Sequence, residues 1–304
     1  MNPCILITSH LNNERKREVC ERLIDYLKKF NLPIIHLGNY TIPEVLQSKT
    51  DYTIFMKDNP KIDRTINVWR SIPESLGLGS NLKGWTIVPD HGAAHTLSHL
   101  RGFLFASSVG YDYVYVINYD VKITEVDMIE MINQSKNYRP TCFIDKHVDN
   151  PEDGMSMNMF SISTSEYIKM CKKYLPLYLN NKLPSNDFYP EKFTRWMWDN
   201  ENLTDKAFTD LKFDHTESNF TTKGSYGECL PYYYKDKIIL LFTEKQDSIP
   251  IIKVNSNIIN VKSLSNQFYI IKNIEGEHYI KNNYGEFELR FNNTTEFRKN
   301  NYIK

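Results

Sequence analysis

The sequence has no long apolar run. Nothing in it approaches the roughly 18 consecutive apolar residues of a membrane-spanning helix, so none is predicted. It has no excess charge of either sign: 37 Lys and Arg are balanced by 37 Asp and Glu. A general nucleic-acid binder would carry a basic surplus, so that class is disfavoured. Cysteine is scarce and scattered. Cys4, Cys20, Cys142, Cys171 and Cys229 contain no CxxC pair, which speaks against a zinc knuckle or a disulfide framework and predicts buried thiols in a reducing compartment. HExxH, GxGxxG, a Walker A lysine and a GxSxG elbow are all missing, so zincin, dinucleotide, ATP-loop and α/β-hydrolase chemistries lose their main support. His91, His95 and His99 fall on one helix face but lack an acidic residue at zincin spacing, and read as a polar stripe. The N-terminus has no basic region followed by an apolar stretch and cleavage site, which predicts a cytoplasmic chain without a signal peptide.

What is present suits a folded chain. Hydrophobic residues make up 41%, enough for a sizeable core, and 304 residues suit about two domains. Strand and helix patterns alternate at the start: a strand over Cys4–Thr8, a helix with Val19, Leu23, Leu27 and Phe30 on one stripe, a strand over Pro33–Leu37, a short helix over Ile42–Gln47 and a strand over Tyr52–Met56. This βαβαβ order predicts a parallel sheet with right-handed crossovers. Residues 61–90, punctuated by Gly77, Gly79, Gly84 and Pro89, read as loop-rich with one short helix. A helix over 91–108 stops at Gly110, and Tyr113–Ile117 is a continuous apolar strand of the kind buried on both faces. A helix over Val126–Ser135, strands over Thr141–Ile144 and Met155–Ile162, and a helix over Ser165–Tyr174 follow. Beyond about residue 235, short β-rich runs recur at turn-separated intervals, which predicts a small antiparallel sandwich or barrel over 236–304 after a first domain over 1–235.

The strongest local signal is the end of the apolar strand, Asn118-Tyr119-Asp120. Ligands of open α/β sheets bind at the carboxyl ends of the strands. Alternation puts Asn118 and Asp120 on one side, where two oxygen-bearing side chains can hold a divalent cation beside a diphosphate and ribose.

Two features now carry a resemblance. One is the helix with Arg101-Gly102-Phe103-Leu104-Phe105-Ala106, and the other is the approach Gly110-Tyr-Asp-Tyr-Val-Tyr-Val-Ile-Asn-Tyr-Asp. With the element order before them, they resemble GT-A fold nucleotide-diphospho-sugar glycosyltransferases, particularly the family-2-like enzymes of bacterial and viral glycan clusters. The resemblance covers about residues 3–170, continuing more weakly to about 235. It implies an α/β fold with a mainly parallel sheet flanked by helices. It also implies a UDP- or GDP-sugar donor, a glycan or glycoconjugate acceptor, and Mn²⁺ or Mg²⁺ as cofactor. Carried over residue by residue, Thr8, Ser9 and His10 would hold base and ribose, Asn39 and Asp58 would contact the base, and Arg101 would face the diphosphate. Asp120 matches the second acid of the family's Asp-x-Asp and would be the principal metal ligand. Asn118 stands where the first acid is expected and brings no charge. His215 is similar to the late histidine that completes the metal shell in some GT-A enzymes.

An inverting transferase also needs a carboxylate to deprotonate the acceptor hydroxyl. Asp199 and Glu201 are the candidates, with Trp196 and Trp198 as a stacking platform for a sugar ring. The expected function is therefore glycosyl transfer from a nucleotide-sugar. One alternative is a degenerate GT-A domain acting as a non-catalytic glycan-binding or scaffold protein, kept open by Asn118. The other is a sugar nucleotidyltransferase, disfavoured because Ser9-His10-Leu11-Asn12-Asn13 is not a Gly-rich loop. The β-rich domain is expected to bind acceptor or to mediate an oligomer.

Overall fold

The computed structural model describes residues 1–11, 14–56, 65–71, 83–89, 92–143, 155–180, 182–184, 190–212, 214–215, 229–234, 237–242, 249–263, 268–281 and 288–293. In chain order the elements are β1 (Pro3–Ser9), α1 (Glu14–Leu27), β2 (Ile34–Gly38), α2 (Glu44–Gln47), β3 (Tyr52–Phe55), β4 (Thr65–Ser71), β5 (Lys83–Pro89), α3 (Gly92–Ser108), β6 (Tyr113–Asn118), β7 (Val121–Lys122), α4 (Glu125–Gln134), β8 (Thr141–Cys142), β9 (Met159–Ser163), α5 (Thr164–Leu179) and α6 (Pro190–Asn200). There follow β10 (Asp214–His215), β11 (Cys229–Tyr234), β12 (Lys237–Phe242), β13 (Ile251–Val254), β14 (Asn257–Ile258), β15 (Lys262–Ser263), β16 (Phe268–Lys272), β17 (Gly276–Lys281) and β18 (Glu288–Asn293). The chain forms two compact units. One comprises Met1–Ile62 and His91–Glu217, and the other Asp63–Asp90 and Ser218–Lys304.

The first unit is built on a six-stranded sheet in the order β3-β2-β1-β6-β9-β8. β1, β2, β3 and β6 run parallel, and β9 is antiparallel to both its neighbours. This is the mainly parallel, helix-flanked sheet that the GT-A resemblance implies. β6 lies at its centre, and Tyr113–Ile117 are all fully buried. The period-2 alternation of a strand divides them between two cores. Val114 and Val116 pack with Phe103, Tyr167 and Trp198 on one face, while Tyr115 and Ile117 pack with Cys20, Leu23 and Met128 on the other. Tyrosine is tolerated in so buried a strand because its hydroxyl finds a partner: Tyr113 donates to the Arg139 carbonyl at 2.7 Å.

Local chemistry sets the helices. The α1 residues Val19, Leu23 and Leu27 repeat on the buried stripe, as the spacing predicts. Thr124 and Ser163 cap α4 and α5, their hydroxyls accepting from the amides of Asp127 and Glu166. Gly102 lets α3 approach β1: a Cβ there would lie 2.4 Å from Leu6 Cδ2. Gly110, with φ +92°, ends the turn after α3 in a conformation that glycine adopts without steric cost.

Two sequence expectations change. Residues 61–90, read as a loop with a short helix, contain the antiparallel pair β4–β5, in which Trp69 stands opposite Trp85. The alternation Ile66, Val68 and Ile87, Trp85 was present, but Gly77, Gly79 and Gly84 masked it. The helix expected to end at Tyr174 continues to Leu179 through Pro176.

In the second unit β11-β12-β16-β15 and β14-β13-β17-β18 form two antiparallel four-stranded sheets. Ile238, Leu240, Ile252, Tyr269, Ile271 and Ile280 supply its described core. Four cysteines, Cys4, Cys20, Cys142 and Cys171, are free and buried, and burial pushes each thiol well above its ordinary range. Among the described residues no helix is long and apolar enough to cross a membrane.

Candidate functional site

The carboxyl ends of β1, β2 and β6 converge because parallel pairing puts them at one edge. Thr8 stands opposite Asn118, and Ser9 opposite Gly38. Side chains tie the three ends together. The Thr8 hydroxyl donates to Asn118 Oδ1 at 3.0 Å. His10 Nδ1 donates to Asn39 Oδ1 at 3.0 Å, and the His10 ring meets Tyr40 edge-on at 4.6 Å. Ser9 Oγ is hydrogen-bonded to His36 Nε2 at 2.8 Å, beneath the edge. His36 is fully buried, and burial lowers its pKa to about 4, so the imidazole is neutral.

Thr8, Ser9, His10, Asn39 and Asn118 therefore lie together at the carboxyl edge, and Asp120 follows two residues after Asn118. Asn118 and Asp120 are half-buried, and the negative charge of Asp120 is felt by the Cys20 thiol behind it. His215 arrives by a separate route. β10 pairs with β7, and His215 stands opposite Val121, the residue after Asp120. Its backbone is thus brought from a distant part of the chain to the motif, while its side chain lies outside the described residues. Asp58 also lies outside them.

Three other expectations are not met by position. Arg101 is half-buried in the middle of α3, and the adjacent Gly102 packs on Leu6 at the middle of β1. Its level is the middle of the sheet, below the carboxyl edge. Asp199 and Glu201 sit at the far end of α6. That helix starts beside Gly92 and Tyr178, the residues that open α3 and nearly close α5. At 1.5 Å per residue it carries the two carboxylates roughly 15 Å from that start. Both are engaged there. Arg195 Nε donates to Asp199 Oδ1 and Oδ2 at 2.9 and 3.1 Å. Glu201 accepts from Lys173 and Lys169 at 2.7 and 3.0 Å and from the Tyr174 hydroxyl at 2.7 Å. The Lys173 ammonium, the Tyr174 hydroxyl and Lys169 hold its pKa down at about 2, which leaves it a poor proton acceptor. Trp198 is fully buried in the core and offers no face to a sugar; Trp196 is half-buried, edge-on to Tyr174 at 5.1 Å. The residue types were right for a base and a platform, but Glu201 and Trp196 are spent on contacts with α5, Asp199 on an Arg195 pair within α6 and Trp198 on the core.

One residue at the edge escaped the sequence reading. Asn158 immediately precedes β9. Because β9 runs antiparallel to β6, its start lies at the carboxyl edge. The Asn118 amide donates to the Asn158 carbonyl at 2.8 Å, and Asn118 Nδ2 donates to Asn158 Oδ1 at 3.2 Å. Recognising the strand as antiparallel would have found it.

The donors at the edge suit a hard divalent cation only in part. Asp120 offers a carboxylate and Asn118 an amide oxygen that already accepts from Thr8, while the backbone of His215 pairs with Val121 next to them. Among the described residues no group of three His, Cys, Asp or Glu side chains is gathered to hold a metal. Such a set fits a cation that relies on ligand phosphate oxygens to complete its shell.

No protein-family model matches the chain, and no curated protein matches it. Among solved structures, a glycosyltransferase involved in the glycosylation of the major capsid of PBCV-1 is 12% identical, with 68% of this chain and 81% of that one covered and a TM-score of 0.40. Core-mannan synthase A from Aspergillus fumigatus, in a Mn/GDP form, is 10% identical over 71% of this chain and 74% of that one, with a TM-score of 0.39. Likenesses this distant concern the path of the chain; the chemistry of the edge rests on its own residues.

Proposed function

We propose that the first unit is a glycosyltransferase domain that takes a nucleotide-diphosphate sugar, of the UDP or GDP class, and passes the sugar to a hydroxyl of a glycan or glycoconjugate. The observation that carries this reading is the convergence of Thr8, Asn118 and Asp120 at the carboxyl edge, with His215 delivered beside them by the β7–β10 ladder. The ends of β1 and β2, with Ser9, His10 and Asn39, would supply polar groups for base and ribose; Asp58 keeps the lesser role the resemblance implies, and Arg101, at the middle of the sheet, is not assigned to the diphosphate. Asp120, with Asn118 and His215, would hold Mn²⁺ or Mg²⁺, which supplies charge neutralisation of the departing diphosphate. This chain's own part is to bind the nucleotide and fix the diphosphate at the edge, so that the sugar faces an incoming hydroxyl.

The test is release of UDP or GDP from a panel of nucleotide-sugars, with and without Mn²⁺ and with a glycan mixture as acceptor. One donor is expected to turn over in the wild type and to lose at least about a hundredfold in Asp120→Ala, the scale expected when a group stabilising developing charge is removed. Turnover of no donor under any condition contradicts the reading. A second reading, a donor-binding domain without transfer activity, is favoured by the ion pairs that occupy Asp199 and Glu201. It predicts nucleotide binding with no turnover.

A further inference from the structure

The residue that decides how Asn118 presents itself stands 40 positions later in the chain. We propose that Asn158 is a positioning residue of the donor site: it fixes the orientation of the Asn118 side-chain amide, and through it the nucleotide. The inference rests on the donor-site reading above.

An amide side chain can turn by half a revolution and exchange its oxygen for its nitrogen at little steric cost. At Asn118 three contacts oppose that freedom. Thr8 donates to Oδ1, which faces β1; a hydroxyl can also accept, so this contact alone does not choose between oxygen and nitrogen. Asn158 Oδ1 accepts from Nδ2, and with its oxygen turned this way Asn158 selects the orientation in which the nitrogen faces β9. The Asn158 carbonyl accepts from the Asn118 backbone amide and sets the distance between the two residues. Asn158 is itself held. Its backbone amide donates to Ser156 Oγ at 3.1 Å, and the Ser156 amide donates to the Phe143 carbonyl at 2.9 Å. The orientation leaves Asn118 with one unused lone pair on Oδ1 and one unused proton on Nδ2 within this set. A donor and an acceptor side by side match two adjacent hydroxyls, such as the diol of a ribose. A carboxylate at position 118 would offer acceptors only. The neutral Asn118 and its Asn158 partner therefore form one hydrogen-bonding unit for a ribonucleotide.

The experiment is a double-mutant cycle on the full chain, with UDP and GDP titrated by calorimetry against wild type, Asn118→Ala, Asn158→Ala and the double variant. Removing one partner of a half-buried amide bond is expected to weaken binding about tenfold in each single variant. If Asn158 acts through Asn118, the double variant binds no more weakly than Asn118→Ala, whereas independent roles would multiply to about a hundredfold. Equal binding by wild type and Asn158→Ala, or multiplicative losses, overturns the proposal and leaves the donor-site reading intact. Binding of neither nucleotide by the wild type overturns the reading itself and the proposal with it. Should Asn158→Ala fail to fold, Asn158→Ser keeps the backbone carbonyl that accepts from the Asn118 amide and withdraws the side-chain acceptor from Nδ2 without adding charge. It is expected to bind about tenfold more weakly than wild type, and binding equal to wild type overturns the proposal.

Discussion

Two polar regions of the first unit use similar residues in opposite ways. At the carboxyl edge of the sheet, Thr8, Asn118 and Asn158 are joined by hydrogen bonds, as are His10 and Asn39, and Asp120 follows Asn118 by two residues. On the α5–α6 flank, the carboxylates Asp199 and Glu201 are saturated by Arg195, Lys169, Lys173 and Tyr174. The first region orients polar groups at the ends of the strands. The second consumes its charge in ion pairs, Glu201 between α5 and α6 and Asp199 within α6. At Glu201 the carboxylate's partners, two lysines and a tyrosine, decide its role more than its type does.

The comparison can be broken most directly by exchanging the fates of the two regions. Asp120→Ala should abolish metal-dependent turnover, with a loss of at least about a hundredfold, while Asp199→Asn leaves turnover within about twofold. Steady-state kinetics on the two variants measures this, and a reversed order would show that the flank holds the base.

The layer beneath the edge should reveal itself through pH. The buried His36 is neutral, with a pKa near 4 against an ordinary 6.5. The unfolded chain therefore binds a proton that the folded chain refuses between these values. The stabilising contribution is fully present above about pH 6.5 and is lost as the pH falls toward 4. The lowering corresponds to about 3 kcal/mol. Urea unfolding from pH 7 to 4 should show this slope, and His36→Gln should flatten it. An unchanged slope would mean that His36 is hydrated.

A smaller effect would sharpen the charge difference between the regions. Asn118→Asp adds a second carboxylate beside Asp120, and turning the Asn158 amide would bring its nitrogen to face the new oxygen. Mn²⁺ should then bind about tenfold more tightly, read by electron paramagnetic resonance of the free ion. Unchanged or weaker binding would place the cation elsewhere.

The smallest effect belongs to the flank. Glu201→Gln should cost about 1 kcal/mol of stability, because its lysine partners are largely exposed and screened. Because the folded carboxyl titrates near 2 against an ordinary 4.5, that contribution is present above about pH 4.5 and fades as the pH falls toward 2. Thermal melts at pH 7 and pH 3 measure it, and a loss of equal size at both values would point to packing.

The sheet was legible because its signals are local. Cys4–Thr8, Pro33–Leu37 and Tyr113–Ile117 are apolar runs of strand length, and each matches an observed strand to within a residue or two. Asn118 and Asp120 were legible for the same reason, as polar residues that end a buried strand. The β4–β5 pair was hidden because its strands are separated by a glycine-rich stretch and flanked by residues that mimic a loop. Asn158 was hidden by strand direction, which no local pattern encodes. Asp199 and Glu201 were misleading because their ion partners, Arg195 excepted, belong to another helix. Arg101 lies on the expected helix, but only the packing of Gly102 on Leu6 reveals its level.

At the carboxyl edge of the first unit we propose a nucleotide-sugar site assisted by a cation at Asp120. Its most direct test is thermal unfolding of wild type and Asp120→Ala against UDP-, GDP-, CMP- and dTDP-sugars, with and without Mn²⁺. A ligand bound only by the folded state at a hundred times its dissociation constant stabilises by about 2.7 kcal/mol, a shift of a few degrees. Such a shift is expected for one UDP- or GDP-sugar, larger with Mn²⁺ and lost in Asp120→Ala. No shift for any nucleotide-sugar, or an equal shift in both proteins, would contradict it.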